Sequence, residues 1–551
     1  MAAIKKDEQL MIGNVENCND DHFTLLLNPK NNILIMKLLN ARGFNLQLPI
    51  ILSTSQSPQD ILKLLLQPAR ITYMDQDELY FAGINGCHPD DVYSPRNEME
   101  SLNLILSLID VSLVRATHKK MVFLKELRNA TTYMLTKIGE QNETKQIPHK
   151  CNCQTEEILL QWGKDHGFKT KLQIAHVEGA GRGLTAVEDL EAGDTALEIP
   201  ESIIISEEVV YESDMFHILK ERDDISPETM LLLWSMKERF NSESKYKIFF
   251  QALPETFNTG LSFGVEALTA LEGTLLFEEI IQAKEHLRMQ YDALCPPLCN
   301  DHPDIFQPNI YSWERFLWAC ELWYSNSMKV LLTDGKTNTC LVPIANLLNH
   351  SVCPHIVHYG KVDPGTRSMK FSLSRPCRRG EECYLSYGKY SSCHLITFYG
   401  FLPKGENVYD IIPLDIDAPP RPEPQDEDSS ESEWTSHMVR GTWLSSNHKP
   451  GYYGLPPPLL TYLRATLDGS CKMPREGTYI DVENEMAVLE TLCSIFSPML
   501  EGLVCDAPTS PRRGEKVGWD VKLALQYKEL QRRILSSVLT SCSAGMQMLQ
   551  S

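Results

Sequence analysis

Arg379-Gly380-Glu381-Glu382-Cys383-Tyr384-Leu385-Ser386-Tyr387-Gly388, followed by Phe398-Tyr399-Gly400-Phe401, is the stretch from which the fold is read. It sets two tyrosines, Tyr387 and Tyr399, each beside a glycine. Asn349-His350-Ser351 lies upstream, and farther upstream Glu178-Gly179-Ala180-Gly181-Arg182-Gly183-Leu184 forms a glycine-rich turn. Small residues let a backbone approach a ligand closely, and a carboxylate beside such a turn can pair with a cationic amino group. Taken singly, the glycine pattern is also an ordinary turn between strands, and Asn-His-Ser a capped turn or a satisfied core histidine. Three such motifs in this order form a constellation.

Around them the pattern of apolar residues changes along the chain. Leu102, Ile105, Ile109 and Leu113 recur at three- and four-residue steps, and Met121, Leu124 and Leu127 continue the pattern, which predicts a helical hairpin from Glu98 to about Gly139. Glu156 to Gly167 reads as an amphipathic helix, with strands at Leu172-Gln173-Ile174-Ala175 and Thr195-Ala196-Leu197-Glu198-Ile199-Pro200 flanking the glycine turn. Helical patterns dominate from Ser206 to about Gly335, including Pro227 to Arg239 and Leu271 to Leu294; strands return at Cys340-Leu341-Val342-Pro343 and Met369-Lys370-Phe371-Ser372-Leu373. The acidic, proline-rich run over 418–433 reads as a flexible loop, and Asp481 to Phe496 and Asp520 to Leu539 as helices. The expected organisation is an α+β chain: a helical N-terminal extension over 1–149, a β-rich core over 150–405 with a helical insert at about 206–335, and an all-α region over 406–551.

Composition narrows the partners. With 42% hydrophobic and 23% charged residues the chain reads as globular, and its 551 residues suggest two or three domains. The net charge of −21 repels phosphate backbones, so no direct nucleic-acid binding is expected. Sixteen scattered cysteines read as reduced core thiols, and the start Met1-Ala2-Ala3-Ile4-Lys5-Lys6-Asp7-Glu8 lacks an apolar leader, which together predict a cytoplasmic or nuclear protein. The apolar run from Leu102 to Val114 is too short and too interrupted to span a membrane. Cys295-x-x-x-Cys299-x-x-His302 lacks a fourth ligand and Cys151-x-Cys153 is smaller still, so no metal site is expected.

The order of glycine turn, helical insert, Asn-His-Ser and terminal tyrosines resembles the SET-domain methyltransferases of the Rubisco large-subunit lysine methyltransferase type and their actin-histidine relatives. The resemblance begins near Glu156 and includes Leu253-Pro254, the Leu268 to Thr274 run, Trp313 with Trp318, and Glu483-Asn484-Glu485. It implies S-adenosylmethionine (SAM) as cofactor, held by Glu178, Gly179, Ala180, Asn349, His350 and the residue at Asn326. It also implies Tyr387 as the catalytic tyrosine, Asn346 and Tyr399 as substrate contacts, and a C-terminal helical domain that holds a protein substrate. Phenol oxygens orient an amine by hydrogen bonding, and aromatic walls favour an alkylammonium.

Three positions depart from the family pattern. Its cofactor-contacting arginine is Asn326, the aspartate opening its Asp-x-x-Asn-His motif is Asn346, and its Ser-Asn-x-Glu is Ser391-Ser392-Cys393-His394. The expected activity is SAM-dependent methylation of a lysine on a non-histone protein. Histidine is the alternative acceptor, and a non-catalytic adaptor that keeps the fold is the rival from another class.

Overall fold

The computed structural model describes residues 22–25, 32–44, 50–53, 56–83, 94–114, 116, 118–142, 149–150, 154–177, 179–416, 434, 436–468, 481–503 and 517–550. Glu178, Cys151, Cys153 and the acidic loop over 418–433 lie outside the described residues. The described residues form two compact units, one drawn from 142–410 and 501–532, the other from 1–141, 411–500 and 533–551. This grouping differs from three consecutive regions, because each unit completes its core with segments distant in sequence.

In the first unit the strands are short and antiparallel. Leu172–Val177 pairs with Gly181–Ala186 in a register that sets Val177 opposite Gly181, with Gly179 and Ala180 in the turn before Gly181. Gly179 and Gly181 both have φ of 77°, a left-handed conformation that side chains resist. Leu172, Ile174, Ala175 and Val177 are buried, so this strand faces the core with most of its length. A four-stranded sheet orders Val362–Asp363, Ser368–Ser372, Thr195–Pro200 and Lys169–Thr170, and Ser327–Leu331 pairs with Thr337–Leu341.

The helical insert leaves the strands after Ile205 and returns at Leu341. These two residues exchange both backbone hydrogen bonds, at 2.9 and 3.0 Å, and close its base. Helix Pro227–Glu238 starts where the sequence places it, with Ser226 capping the Thr229 amide and proline in the first turn. Helix Leu275–Asp301 runs past the expected end and through Pro296 and Pro297. Leu294, Cys295, Leu298 and Cys299 are all buried there, so packing outweighs the local proline penalty.

The C-terminal segment also belongs to this core. Leu523, Ala524 and Tyr527 pack with Phe263, Leu271, Ile280, Cys393 and Ile396, while Asp520 accepts from the Gly264 amide and Gln531 from the Leu275 amide. The region after residue 406 is therefore not one separate domain.

The second unit is mainly helical: Pro95–Leu113 and His118–Asn142 match the helices expected over Glu98 to about Gly139, and Pro58–Tyr73 adds a helix the sequence reading did not place. It adds two short antiparallel ladders, His22–Leu25 with Ile50–Ser53 and Ile411–Leu414 with His437–Arg440. The Tyr80 hydroxyl accepts from the Met438 amide at 3.2 Å and lies 3.2 Å from His437 Nδ1, so N- and C-terminal segments share a core. Glu485 is buried and ion-paired with Arg464, and Tyr453 donates to its Oε2 at 2.8 Å. Breaking one member of such a buried pair strands the other charge at a cost of about 3–5 kcal/mol. No helix among the described residues is long and apolar enough to cross a membrane.

Candidate functional site

The first unit brings the separated motifs together through specific hydrogen bonds. Asn349 Nδ2 donates to the Arg182 carbonyl of the glycine-turn strand at 3.0 Å and to Glu382 Oε1 at 2.7 Å. The Tyr387 amide donates to His350 Nδ1 at 3.1 Å, which joins Asn-His-Ser to the terminal tyrosines. Segment 384–386 is flanked on both sides: the Leu385 amide donates to the Asn349 carbonyl at 2.8 Å, and the Ser386 amide to Ile356 at 3.1 Å. Gly183 makes this junction possible, since a side chain there would collide with Glu382 Oε1 and crowd Asn349.

An aromatic wall lies beside the junction. The Tyr387 ring stacks on Tyr399 with centroids 4.9 Å apart, and on its other neighbours lies 5.2 Å from His350 and 6.3 Å from Phe401. Tyr390 stacks on His394 at 4.3 Å and lies 6.1 Å from Tyr399. The Tyr387 hydroxyl donates to the Leu348 carbonyl at 2.9 Å, leaving its oxygen lone pairs as acceptors. Burial, and then the charges of Tyr359 and Glu382, hold this phenol far above its ordinary range, so it stays protonated near neutral pH. Burial likewise raises Tyr399 and lowers His394, which keeps that imidazole neutral near pH 7.

The two departures at Asn326 and Asn346 are neighbours. Asn346 Nδ2 lies 3.5 Å from Asn326 Oδ1, and Asn326 Nδ2 donates to Ser325 Oγ at 2.7 Å. Asn346 Oδ1 is buried without a partner among the described residues. Asn346 sits in the turn Ala345–Leu347, which packs against strand Gly181–Ala186; two residues on, Leu348 presents the carbonyl that Tyr387 uses. Ile344 enters this turn at a φ of 73°, strained for a β-branched residue, and is fully buried. The third departure is also accommodated: Asp410 accepts from the Ser392 amide at 2.6 Å and its hydroxyl at 2.8 Å, fixing the helix Ser392–Tyr399. Burial pushes Asp410 up to about 6.

Of the expected site residues, Asn349, His350, Tyr387 and Tyr399 converge, and Asn326 meets Asn346. Gly179 and Ala180 are exposed at the turn tip, where built side chains on Gly179 and Gly181 would meet nothing. Glu178 lies outside the described residues. Leu348 and Ile344 escaped the sequence reading, because a backbone carbonyl and a backbone strain leave no residue-type signal. Open space along the glycine turn, the braced Asn349 amide and the orphaned Asn346 oxygen suit a cofactor with an amino group and a polar chain.

His355, Cys377 and Cys383 form a buried trio within 4.8 Å, the cluster of that kind among the described residues. Its imidazole is already spent: Nδ1 accepts from the Tyr384 amide at 3.0 Å, and Nε2 lies 3.2 Å from Glu381 Oε1. Cys295 and Cys299 are buried and their thiols raised by burial, His302 is exposed, and these three are not among the clustered metal-ligating groups of the described residues.

Residues 181–388 match the SET-domain family. The chloroplastic fructose-bisphosphate aldolase-lysine N-methyltransferase of Arabidopsis thaliana is 26% identical over 250 residues, covering 44% of this chain and 50% of that protein. The chloroplastic Rubisco large-subunit N-methyltransferase of Pisum sativum is 25% identical over 262 residues, covering 46% and 52%. The chain thus spans about half the length of these curated relatives. The crystal structure of the SET domain of LSMT bound to lysine and AdoHcy aligns over 72% of this chain and 92% of that one, with a TM-score of 0.51 and 18% identity, a likeness of fold.

Proposed function

The chain carries a SET domain over residues 181–388, and on that footing we propose that it is a SAM-dependent protein methyltransferase whose acceptor is a lysine side chain. The observation that carries the reading is the hydrogen-bonded junction of three motifs: Asn349 to Arg182 and Glu382, and Tyr387 to His350. The lysine methyltransferases among the similar proteins support the acceptor, as does the wall of Tyr387, Tyr390 and Tyr399, since stacked phenols favour an alkylammonium.

Gly179, Ala180, Asn349, His350 and Asn326 would hold the cofactor, and the family resemblance adds Glu178. When bound, SAM supplies an electrophilic methyl group on a sulfonium. The chain's own residues orient and desolvate the acceptor. Tyr387, fixed by Leu348, presents an oxygen that accepts from the lysine nitrogen and aligns its remaining lone pair. Withdrawal of water and the positive charge of the bound cofactor would lower the lysine pKa and outweigh the cation–π preference of the ring faces, so the proton leaves to solvent before transfer. The C-terminal helices hold the protein substrate.

Incubating the purified chain with methyl-labelled SAM and a protein extract, then mapping the label, tests the reading. Label on lysine is expected; label on histidine changes the acceptor, and no label with no SAM binding leaves an adaptor.

The paired departures favour an enzyme over an adaptor. Where the family resemblance implies an arginine and an aspartate, the structure places two asparagines 3.5 Å apart as a neutral amide pair. Asn326→Arg or Asn346→Asp alone leaves an unmatched charge and weakens SAM binding. The double change restores affinity, with a coupling of about 0.5–3 kcal/mol in a calorimetric double-mutant cycle. Strictly additive effects would show that the two positions act independently.

A further inference from the structure

Away from the tyrosine wall, two arginines share an aromatic platform. Trp318 is pinned by its indole N–H, which donates to the Pro254 carbonyl at 3.1 Å. The Arg239 guanidinium lies 3.9 Å above its ring. Arg315 lies 4.1 Å over Phe240, and Arg239 lies 5.7 Å from that same ring, so two cations flank one phenyl group. Phe240 is half exposed, at 50%.

Like charges held this close repel. Arg239 is lowered from its ordinary value by burial first and by the Arg315 charge next, with Glu255 acting in the opposite sense. Among the described residues, neither guanidinium has a hydrogen bond or ion pair to a protein acceptor. Stacking engages the faces of these groups and leaves their edge N–H donors for an acceptor. On a chain of net charge −21, such a pair is a local exception.

The platform is linked to the tyrosine wall by one short segment. Ala252 accepts from Arg182 at 2.6 Å, Pro254 from Trp318, Phe257 lies 5.8 Å from Trp318, and Gly260 backs onto Ile396 and Thr397 of the helix carrying Tyr399. Arg315 and Asn326 lie on one helix, Trp313–Asn326, about 16 Å apart at 1.5 Å per residue. An extended peptide covers that distance in about five residues.

We propose that Arg239 and Arg315 bind the carboxylates of an acidic segment on the protein that is methylated. The inference rests on the methyl-transfer reading for the identity of the partner, and its test does not require turnover.

Fluorescein-labelled hexaglutamate, titrated by fluorescence polarisation onto the intact chain in low salt, is the probe. Binding is expected, weakening at least tenfold in high salt and at least tenfold in R239A/R315A, because the rest of this acidic surface repels the peptide. R239K/R315K keeps the charge but loses the stacked planar fork, so its binding should fall less than that of R239A/R315A while staying below the wild type. If circular dichroism shows the double alanine variant misfolded, R315A alone, touching only a half-exposed ring, should still lose at least threefold. No binding to the wild type, or equal binding to the alanine variants, overturns the site; so does inorganic phosphate binding more tightly than the peptide and losing affinity in the same variants. SAM calorimetry on the same samples separates the two readings. Hexaglutamate binding without SAM binding overturns the methyl-transfer reading, and SAM binding without hexaglutamate binding overturns the acidic dock alone.

Discussion

Tyr387→Phe lowers the rate of methyl transfer about 100- to 1000-fold while SAM affinity stays within a few-fold. The phenyl ring keeps the stacking on Tyr399 and the contact with His350, so the wall survives. What disappears is one oxygen, bonded to the Leu348 carbonyl and available to the acceptor nitrogen. Losing the internal hydrogen bond costs about 1 kcal/mol of stability, too little to unfold the unit. Because burial holds this phenol far above the neutral range, the wild-type rate should not fall with any ionisation of Tyr387 below pH 10; it should rise as the lysine deprotonates. Turnover within threefold of wild type, measured with labelled SAM and the mapped substrate, would remove Tyr387 from the reaction.

A chain ended after Leu500 loses the folded SET-containing unit. Leu523 and Tyr527 are buried against Phe263, Leu271, Cys393 and Ile396. Removing two large side chains forfeits about 3–6 kcal/mol at 1.5–3 kcal/mol per buried side chain, and uncovering the apolar face they meet adds to it. That is comparable with the whole stability of a domain, about 5–15 kcal/mol. Tyr527→Ala is the milder version and should cost about 3–5 kcal/mol in chemical denaturation. A shortened chain with the cooperative unfolding of the full-length protein would contradict this packing.

The sequence exposed the motifs better than their supports. Asn349, His350, Tyr387 and Tyr399 were legible because the order of their motifs resembles the SET-domain family, while each motif alone reads as an ordinary turn or core residue. The helix starts at Pro227 and Pro95 were legible too, since a serine cap followed by proline states where a helix begins. Periodicity tells which face of a helix is buried but not what buries it. For that reason the long C-terminal helix was assigned to a separate domain, although Tyr527 reaches Phe263 and Cys393. The same limit made Asn326 and Asn346, twenty positions apart, read as two losses where the folded chain has one contact. The short ladder of Ile411–Leu414 with His437–Arg440 was hidden because four residues are too few to show an alternating pattern against a helical background.

The interleaving of the two units constrains how a ribosome can deliver this protein. Residue 410 closes the main body of the SET-containing unit, yet the last segment of its core emerges only with residue 532. At about 5–20 residues per second that interval lasts roughly 6–24 s. Throughout it the face formed by Phe263, Leu271, Ile280 and Ile396 stands without its cover. The nascent chain is then a client for holding chaperones, and slowing translation over this span lengthens its exposure to aggregation.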